Sequence, residues 1–264
     1  MLSLKQTIVV ALVFILVVTI GFSSYQLWYI YSHRASEQEL YYRLLAFRPE
    51  PPVTTEPQET AGGPSSIKNR PAQQISSVES INQSIIDLQD SHASVVGWLT
   101  VPNAGIDHPF VQGRDNSFYL HRDINHNHSP SGTVFMDRRN SSDFSDFHTL
   151  IYGHNMRNGS MFGGMIAFNN REFFDENTTG YIFLPYHTYI VEFFAFAIIR
   201  PDDPVIYGLN FENLQCQVNF IAYVRDNSLH YREIGVTGLD RFVTLSTCRN
   251  DAVNSRLVLV GVLR

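Results

Sequence analysis

The first strong pattern in the chain is an apolar run. From Thr7 to Phe22 (TIVVALVFILVVTIGF) no residue is charged, and Tyr25, Trp28, Tyr29 and Tyr31 follow it closely. A stretch near 20 residues matches the roughly 30 Å hydrocarbon core of a bilayer at 1.5 Å per helical residue, and aromatic residues collect at membrane interfaces. No small-x-small cleavage site precedes the aromatics, so the pattern predicts an uncleaved signal anchor over residues 1–31. Lys5 lies on one side of the run and Arg34, Arg43 and Arg48 on the other, which leaves the orientation open by charge alone. Ser36 to Phe47 fits a short helix. From Arg48 the chain turns Pro-, Glu-, Thr- and Ser-rich (RPEPPVTTEPQETAGGPSS), a composition unable to bury enough apolar surface to fold, so residues 32–74 read as a juxtamembrane helix and stalk.

The period changes at Ile75. Ile75, Val78, Ile81, Ile85 and Leu88 recur at spacings of three and four and predict a helix running towards Val95. Beyond it, Gly97 to Val101, Asp107 to Gln112, Gly132 to Asp137 and Thr149 to Tyr152 read as short strands parted by turn residues such as Pro102-Asn103 and Pro130-Ser131-Gly132. Ser160 to Phe168 reads as a helix capped by Ser160, and Tyr181 to Leu184 and Thr188 to Ile199 read as a strand pair. Arg241 to Cys248 and Ser255 to Leu263 are the clearest strands. Asn210 to Arg225 fits both periods: Phe211, Leu214, Val218 and Ile221 suit a helix, while alternate residues from Leu214 to Ala222 suit a strand. The sum is a mainly β domain over residues 75–264, closed or nearly closed.

Composition narrows the function. With 19 basic and 25 acidic side chains the net charge is −6, which argues against nucleic-acid binding. The 19 Phe and 13 Tyr suit strands better than a helical bundle. Two cysteines are too few for a disulfide framework. Cys248 ends the strand Thr244-Leu245-Ser246-Thr247-Cys248, and the next strand starts near Arg256. An antiparallel pair would put a guanidinium beside the thiol, where it favours the thiolate and can hold an oxyanion. A base is still needed, and His154, just after Gly153 at a strand end, is the best candidate among ten histidines. Three other readings remain open on the residues alone: a Cys216–Cys248 disulfide, an inert buried thiol, and Arg256 as an edge-strand solubility residue. His121, His126 and His128 lack the spacing of a metal site, so neither a metal nor any other cofactor is expected.

TLSTC (Thr244 to Cys248) with Arg256 downstream and YGHNM (Tyr152 to Met156) upstream resembles the signature of the sortases. GWLTV (Gly97 to Val101), DNSFYL (Asp115 to Leu120), GTVFMDRRN (Gly132 to Asn140) and MFGGM (Met161 to Met165) are similar to class B sequence, so the resemblance spans about Ile75 to Leu263. It implies a closed, mixed eight-stranded β-barrel with an N-terminal helix and another helix in the connection before the penultimate strand, which tips Asn210 to Arg225 towards helix. It also implies a cysteine transpeptidase anchored by a single pass, N-terminus inside and catalytic domain outside a Gram-positive membrane. Cys248 would be the nucleophile, His154 the acid/base and Arg256 the oxyanion or substrate-positioning residue, with Ser246 and Thr247 lining the substrate groove. The partners implied are a surface protein carrying an NPxT-like sorting signal, or a pilin, and an amine of a peptidoglycan precursor. Two alternatives stay in view: a class B-type pilin-polymerising sortase, and a thiol endopeptidase whose acyl-enzyme is resolved by water. Arg249 stands directly after Cys248, where an acidic residue is more usual, and adds positive charge beside the thiol. The absence of a second apolar segment after the domain disfavours the pilin-polymerising class that carries a C-terminal anchor.

Overall fold

The computed structural model describes residues 4–51, 80–248 and 255–264, with backbone alone at Thr7, Ile30, His33 and Cys248. The expected helix positions Ile75 and Val78, the stalk from residue 52 and the loop carrying Arg249 lie outside the described residues. The chain divides into two compact units, residues 1–46 and 47–264. The first is a single helix, α1 (Leu4–Leu44), that contains the apolar run; residues 36–44 are its continuation and not a separate helix. Among the described residues it is the one helix long and apolar enough to cross a membrane.

The second unit begins at Phe47, and Arg48 Nε lies 2.7 Å from Asp107 Oδ2. Its nine strands are β1 (Val95–Val101), β2 (Ile106–Gln112), β3 (Val134–Met136), β4 (His148–Gly153), β5 (Thr179–Leu184), β6 (His187–Ile199), β7 (His230–Tyr231), β8 (Phe242–Cys248) and β9 (Arg256–Leu263). They are ordered β5-β1-β2-β3-β4-β8-β9-β6, and β5 pairs with β6 to close eight of them into a barrel; the two-residue β7 is added to β6 outside the ring. β2–β3 and β4–β8 are parallel and the remaining pairs antiparallel. This is the mixed eight-stranded barrel expected from the resemblance.

β8 and β9 read as nearly continuous apolar runs because both of their faces are buried. Val243, Leu245, Leu257 and Leu259 point into the barrel core with Phe110, Met136, Ile151 and Phe193. Their alternates, Phe242, Val258, Val260 and Val262, pack outside with Phe220 and Val224 of α4 (Leu214–Asn227). That helix lies in the connection before β8, as expected. Its first turn is capped by Asn213, whose side chain accepts from the Cys216 N–H. Beneath it His148 Nε2 and Thr244 Oγ1 meet at 2.8 Å, joining β4 to β8; complete burial pushes the His148 imidazole down to about 3 and keeps it neutral.

Several local readings change. The helix expected from Ile75 is α2 (Gln83–Ser91), burying only Ile85 and Leu88; Ile81 is exposed and Val95 already opens β1. The Ser160 to Phe168 segment is a 3-10 helix, Gly163–Asn169, and Ser160 bonds Asn158 instead of capping it. Phe162, Met165 and Phe168 are buried at intervals of three, the period of a 3-10 turn. The short α3 (Arg171–Glu176), the 3-10 turn Phe118–His121 and β7 carried no readable pattern.

Candidate active site

Three neighbouring strands bring their ends to one rim of the barrel. β4 and β8 run parallel with Gly153 opposite Thr247, so His154 follows at the level where β8 ends. β8 and β9 run antiparallel with Cys248 opposite Arg256. Strands lie about 4.8 Å apart, so the backbones of His154, Cys248 and Arg256 fall within roughly 10 Å, with the cysteine strand in the middle. β4 needs a glycine at its end: a Cβ on Gly153 would lie 2.7 Å from the Phe162 ring that seats against it.

His154 and Arg256 both line a cleft of about 340 Å³, walled by Asn116, Leu120, Tyr152, Tyr207 and Ser246. Ser246 Oγ is 2.9 Å from Tyr207 OH, and the Tyr152 and Tyr207 rings stack at 6.3 Å. Thr247 falls on the opposite face of β8, is fully buried, and does not line the cleft. A wider cleft of about 810 Å³ includes Phe118, Tyr119, His92 and His126 but neither His154 nor Arg256.

The histidine is oriented by the main chain. His154 Nε2 donates to the Leu120 carbonyl at 2.6 Å. A carbonyl only accepts, so the Nε2 of His154 carries the hydrogen and Nδ1 of the neutral ring is left with its lone pair. Leu120 sits in the 3-10 turn Phe118–His121, which the Asp115 carboxylate stabilises by accepting from the Ser117 and Phe118 N–H groups at 2.8 Å each. The His121 ring stacks on His154 at 5.6 Å between centroids and 27° between planes. Partial burial holds the His154 imidazole below the ordinary histidine range. The Leu120 carbonyl opposes that shift, and the nearby His121 and Arg256 reinforce it.

The remaining candidates separate. Cys216 is a free, half-buried thiol on α4, so the disulfide to Cys248 does not form. His126 Nε2 bonds Tyr119 OH at 3.1 Å, and residue 128 bridges to Arg122. Among the described residues no three His, Cys, Asp or Glu side chains group as metal ligands. Asn116, Leu120, Tyr152 and Tyr207 were not singled out from the sequence. The first three lie in the DNSFYL and YGHNM blocks, and Tyr207 belongs to a connection with no motif.

The chain is 33% identical to sortase B of Listeria monocytogenes over 185 residues, 69% of this chain and 75% of that one. The chain belongs to the sortase B family. Among solved structures, sortase B of Clostridium perfringens matches with a TM-score of 0.65 at 32% identity, covering 68% of this chain and 98% of that one. A class B sortase of Streptococcus pyogenes, involved in pilus biogenesis, matches with a TM-score of 0.63 at 31% identity, covering 68% and 97%. No family model matches the chain. The protein is therefore a sortase enzyme, with the barrel of its class.

In this sortase the stacked imidazoles have a measurable consequence. Followed by NMR in isotope-labelled protein, His154 is expected to titrate below the ordinary histidine range. His121→Ala removes both a ring that shields His154 from water and a charge that opposes its protonation. Both changes favour the imidazolium, so the midpoint moves to higher pH in the variant. A midpoint that stays in place would show that the stacked ring has no electrostatic influence.

Proposed function

We propose that the protein is a membrane-anchored cysteine transpeptidase that cuts a C-terminal sorting signal after Thr and passes the surface protein to an amine of a peptidoglycan precursor. The observation that carries this reading is the sharing of one cleft by His154 and Arg256, on strands that flank the one ending in Cys248. Membership of the sortase B family supports it. Residues 1–31 serve as the anchor with the N-terminus inside, residues 32–74 as the spacer, and residues 75–264 as the catalytic domain outside the cell; the apolar α1 is consistent with that layout.

The chemistry follows from the atoms available. His154 Nδ1 takes the Cys248 thiol proton, and the thiolate attacks the carbonyl carbon of the signal's Thr. Arg256 holds the developing oxyanion, a contribution of ~3–4 kcal/mol in sites of this kind. As the C–N bond breaks, His154 returns its proton to the departing amine and a thioester remains. The acceptor amine then attacks the thioester, giving its surplus proton to Nδ1 while Cys248 leaves as thiolate. The depressed basicity of His154 suits the donating half of this cycle, because a weakly held proton transfers readily to an amine. Arg249, next to Cys248 in sequence, adds a charge that favours the thiolate. Ser246 supports the cleft wall from behind through its pairing with the Tyr207 hydroxyl.

The test is a product analysis on full-length protein in detergent. An NPxT-type fluorogenic peptide is incubated with and without an oligoglycine amine, and products are read by mass spectrometry. Cleavage after Thr with formation of the amide is expected. Hydrolysis alone, unaffected by amine, would leave a thiol endopeptidase, and no cleavage would remove the reading. The similarity to a pilus-associated class B sortase of S. pyogenes supports a second reading, in which the acceptor is a pilin lysine. Preference for a lysine-bearing peptide over oligoglycine as acceptor would favour it.

A further inference from the structure

Asp137 directly follows β3 and is completely buried. A carboxylate in that position without partners would cost several kcal/mol. Five donors converge on it. Its Oδ1 accepts from the Arg139 backbone N–H and from Arg139 Nε, both at 2.9 Å. Its Oδ2 accepts from Arg139 Nη2 at 2.8 Å, Asn116 Nδ2 at 2.9 Å and Tyr152 OH at 3.0 Å. Burial would raise this carboxyl, but the Arg139 and Tyr152 hydrogen bonds outweigh it and hold it below the usual carboxylate range. Burial and the Asp137 charge push the Tyr152 hydroxyl in the opposite direction, so it stays protonated and donating.

Two of the donor residues, Asn116 and Tyr152, are walls of the cleft. Asn116 belongs to the β2–β3 connection and Tyr152 to β4, and both line the cleft that His154 and Arg256 also line. Arg139 extends the network: Nη2 also donates to the Tyr207 carbonyl at 3.1 Å, in the β6–α4 connection. The Tyr207 hydroxyl pairs with Ser246 of β8. Four wall residues from four separate segments thus trace back to one carboxylate that does not itself line the cleft. Two of them stand on irregular connections, where nothing in the barrel ladder fixes their place.

We propose that Asp137 is the positioning residue of the acyl-donor groove, holding Asn116, Tyr152 and, through Arg139, Tyr207 in their bound arrangement before the signal peptide arrives. Ordering these side chains on binding would subtract from affinity, and a groove built beforehand avoids that loss. The same network leaves the wall's polar groups satisfied by one another, so the peptide meets the flat faces of Tyr152 and Tyr207 without having to break a hydrogen bond to reach them. This rests on the transpeptidase reading above, because it assigns the groove to the acyl donor.

The experiment compares wild type, Asp137→Asn and Arg139→Gln as full-length protein in detergent. Saturation kinetics with the NPxT-type peptide are measured beside the rate at which iodoacetamide alkylates Cys248, located by mass spectrometry to separate it from Cys216. Losing a charge-assisted hydrogen bond from the wall should raise KM about tenfold or more in both variants. kcat should change less, and Cys248 alkylation should stay within about twofold of wild type, since the nucleophile is not on the network. Unchanged KM in a folded variant, or equal losses in kcat and alkylation, would overturn the proposal. If circular dichroism shows that Asp137→Asn does not fold, the half-exposed Arg139→Gln decides the matter alone. A wild-type protein that alkylates normally yet never cleaves the peptide would instead sink the transpeptidase reading.

Discussion

Cys248→Ala is expected to abolish peptide cleavage, by at least about 10³-fold, while the barrel's thermal transition stays close to wild type. On the proposed mechanism the loss is total in kind, because the other cysteine, Cys216, stands on α4 and not at the rim. His154 and Arg256 would remain in place, yet an imidazole and a guanidinium without a nucleophile only polarise the carbonyl. Folding survives because Cys248 is the last residue of β8, and its backbone pairing with Arg256 does not depend on the side chain. The measurement is initial rate with the fluorogenic peptide, set beside a melting curve. Turnover retained at wild-type rate would move the nucleophile elsewhere, and Cys216 on α4 would become the thiol to examine.

Gly132→Ala is expected to lower kcat/KM by about 10²-fold although the residue is not in the cleft, because a misplacement of about 1 Å in the reacting geometry has that effect. Gly132 adopts φ +61°, and a Cβ there would lie 2.5 Å from the Leu120 carbonyl oxygen and 2.6 Å from that of Tyr119. The Leu120 oxygen is the one that orients His154. Making room for a methyl group therefore moves the acceptor that sets the tautomer and aim of the imidazole. Left-handed backbone at a non-glycine residue costs about 1 kcal/mol by itself, so a control is required. Gly235→Ala supplies it: φ is +73° and nothing lies within 4 Å of the added Cβ. Both variants carry the left-handed backbone cost, Gly132→Ala adds the steric one, and only Gly132→Ala should lose most of its activity. Equal activities would show that the Leu120 carbonyl does not orient His154 for the proposed reaction.

Strand positions were legible where burial imposes a simple period. β8 and β9 stand out because each buries both faces, and β1, β2 and β4 were placed to within about two residues because turn residues bound them. Where two periods coincide, pattern failed. α4 carries apolar residues at both helical and alternating spacings, since Leu214 and Val218 are exposed apolar residues that add to the signal without facing the core. The expected helix from Ile75 overran for the opposite reason: Val95 continues the apolar series, but it does so as the first residue of a strand. α3 and the turn at Phe118 are too short to show any period at all.

The sequence by itself determined that a long apolar segment precedes a strand-rich domain, and that a cysteine, a histidine and an arginine each stand at a strand end in an order resembling a sortase. Those are local facts, readable because each side chain is flanked by its own motif. Only the tertiary structure decided that Leu120 orients His154, that Thr247 turns away from the cleft while Ser246 lines it, and that Asp137 ties Asn116, Tyr152 and Tyr207 together. Tyr207 lies far along the chain from Asp137, and the two meet through the register of β4 on β8 and the closure of β5 on β6. Register is a collective property of the closed ring, in which each strand is fixed by neighbours distant in sequence. Local periodicity has no access to it.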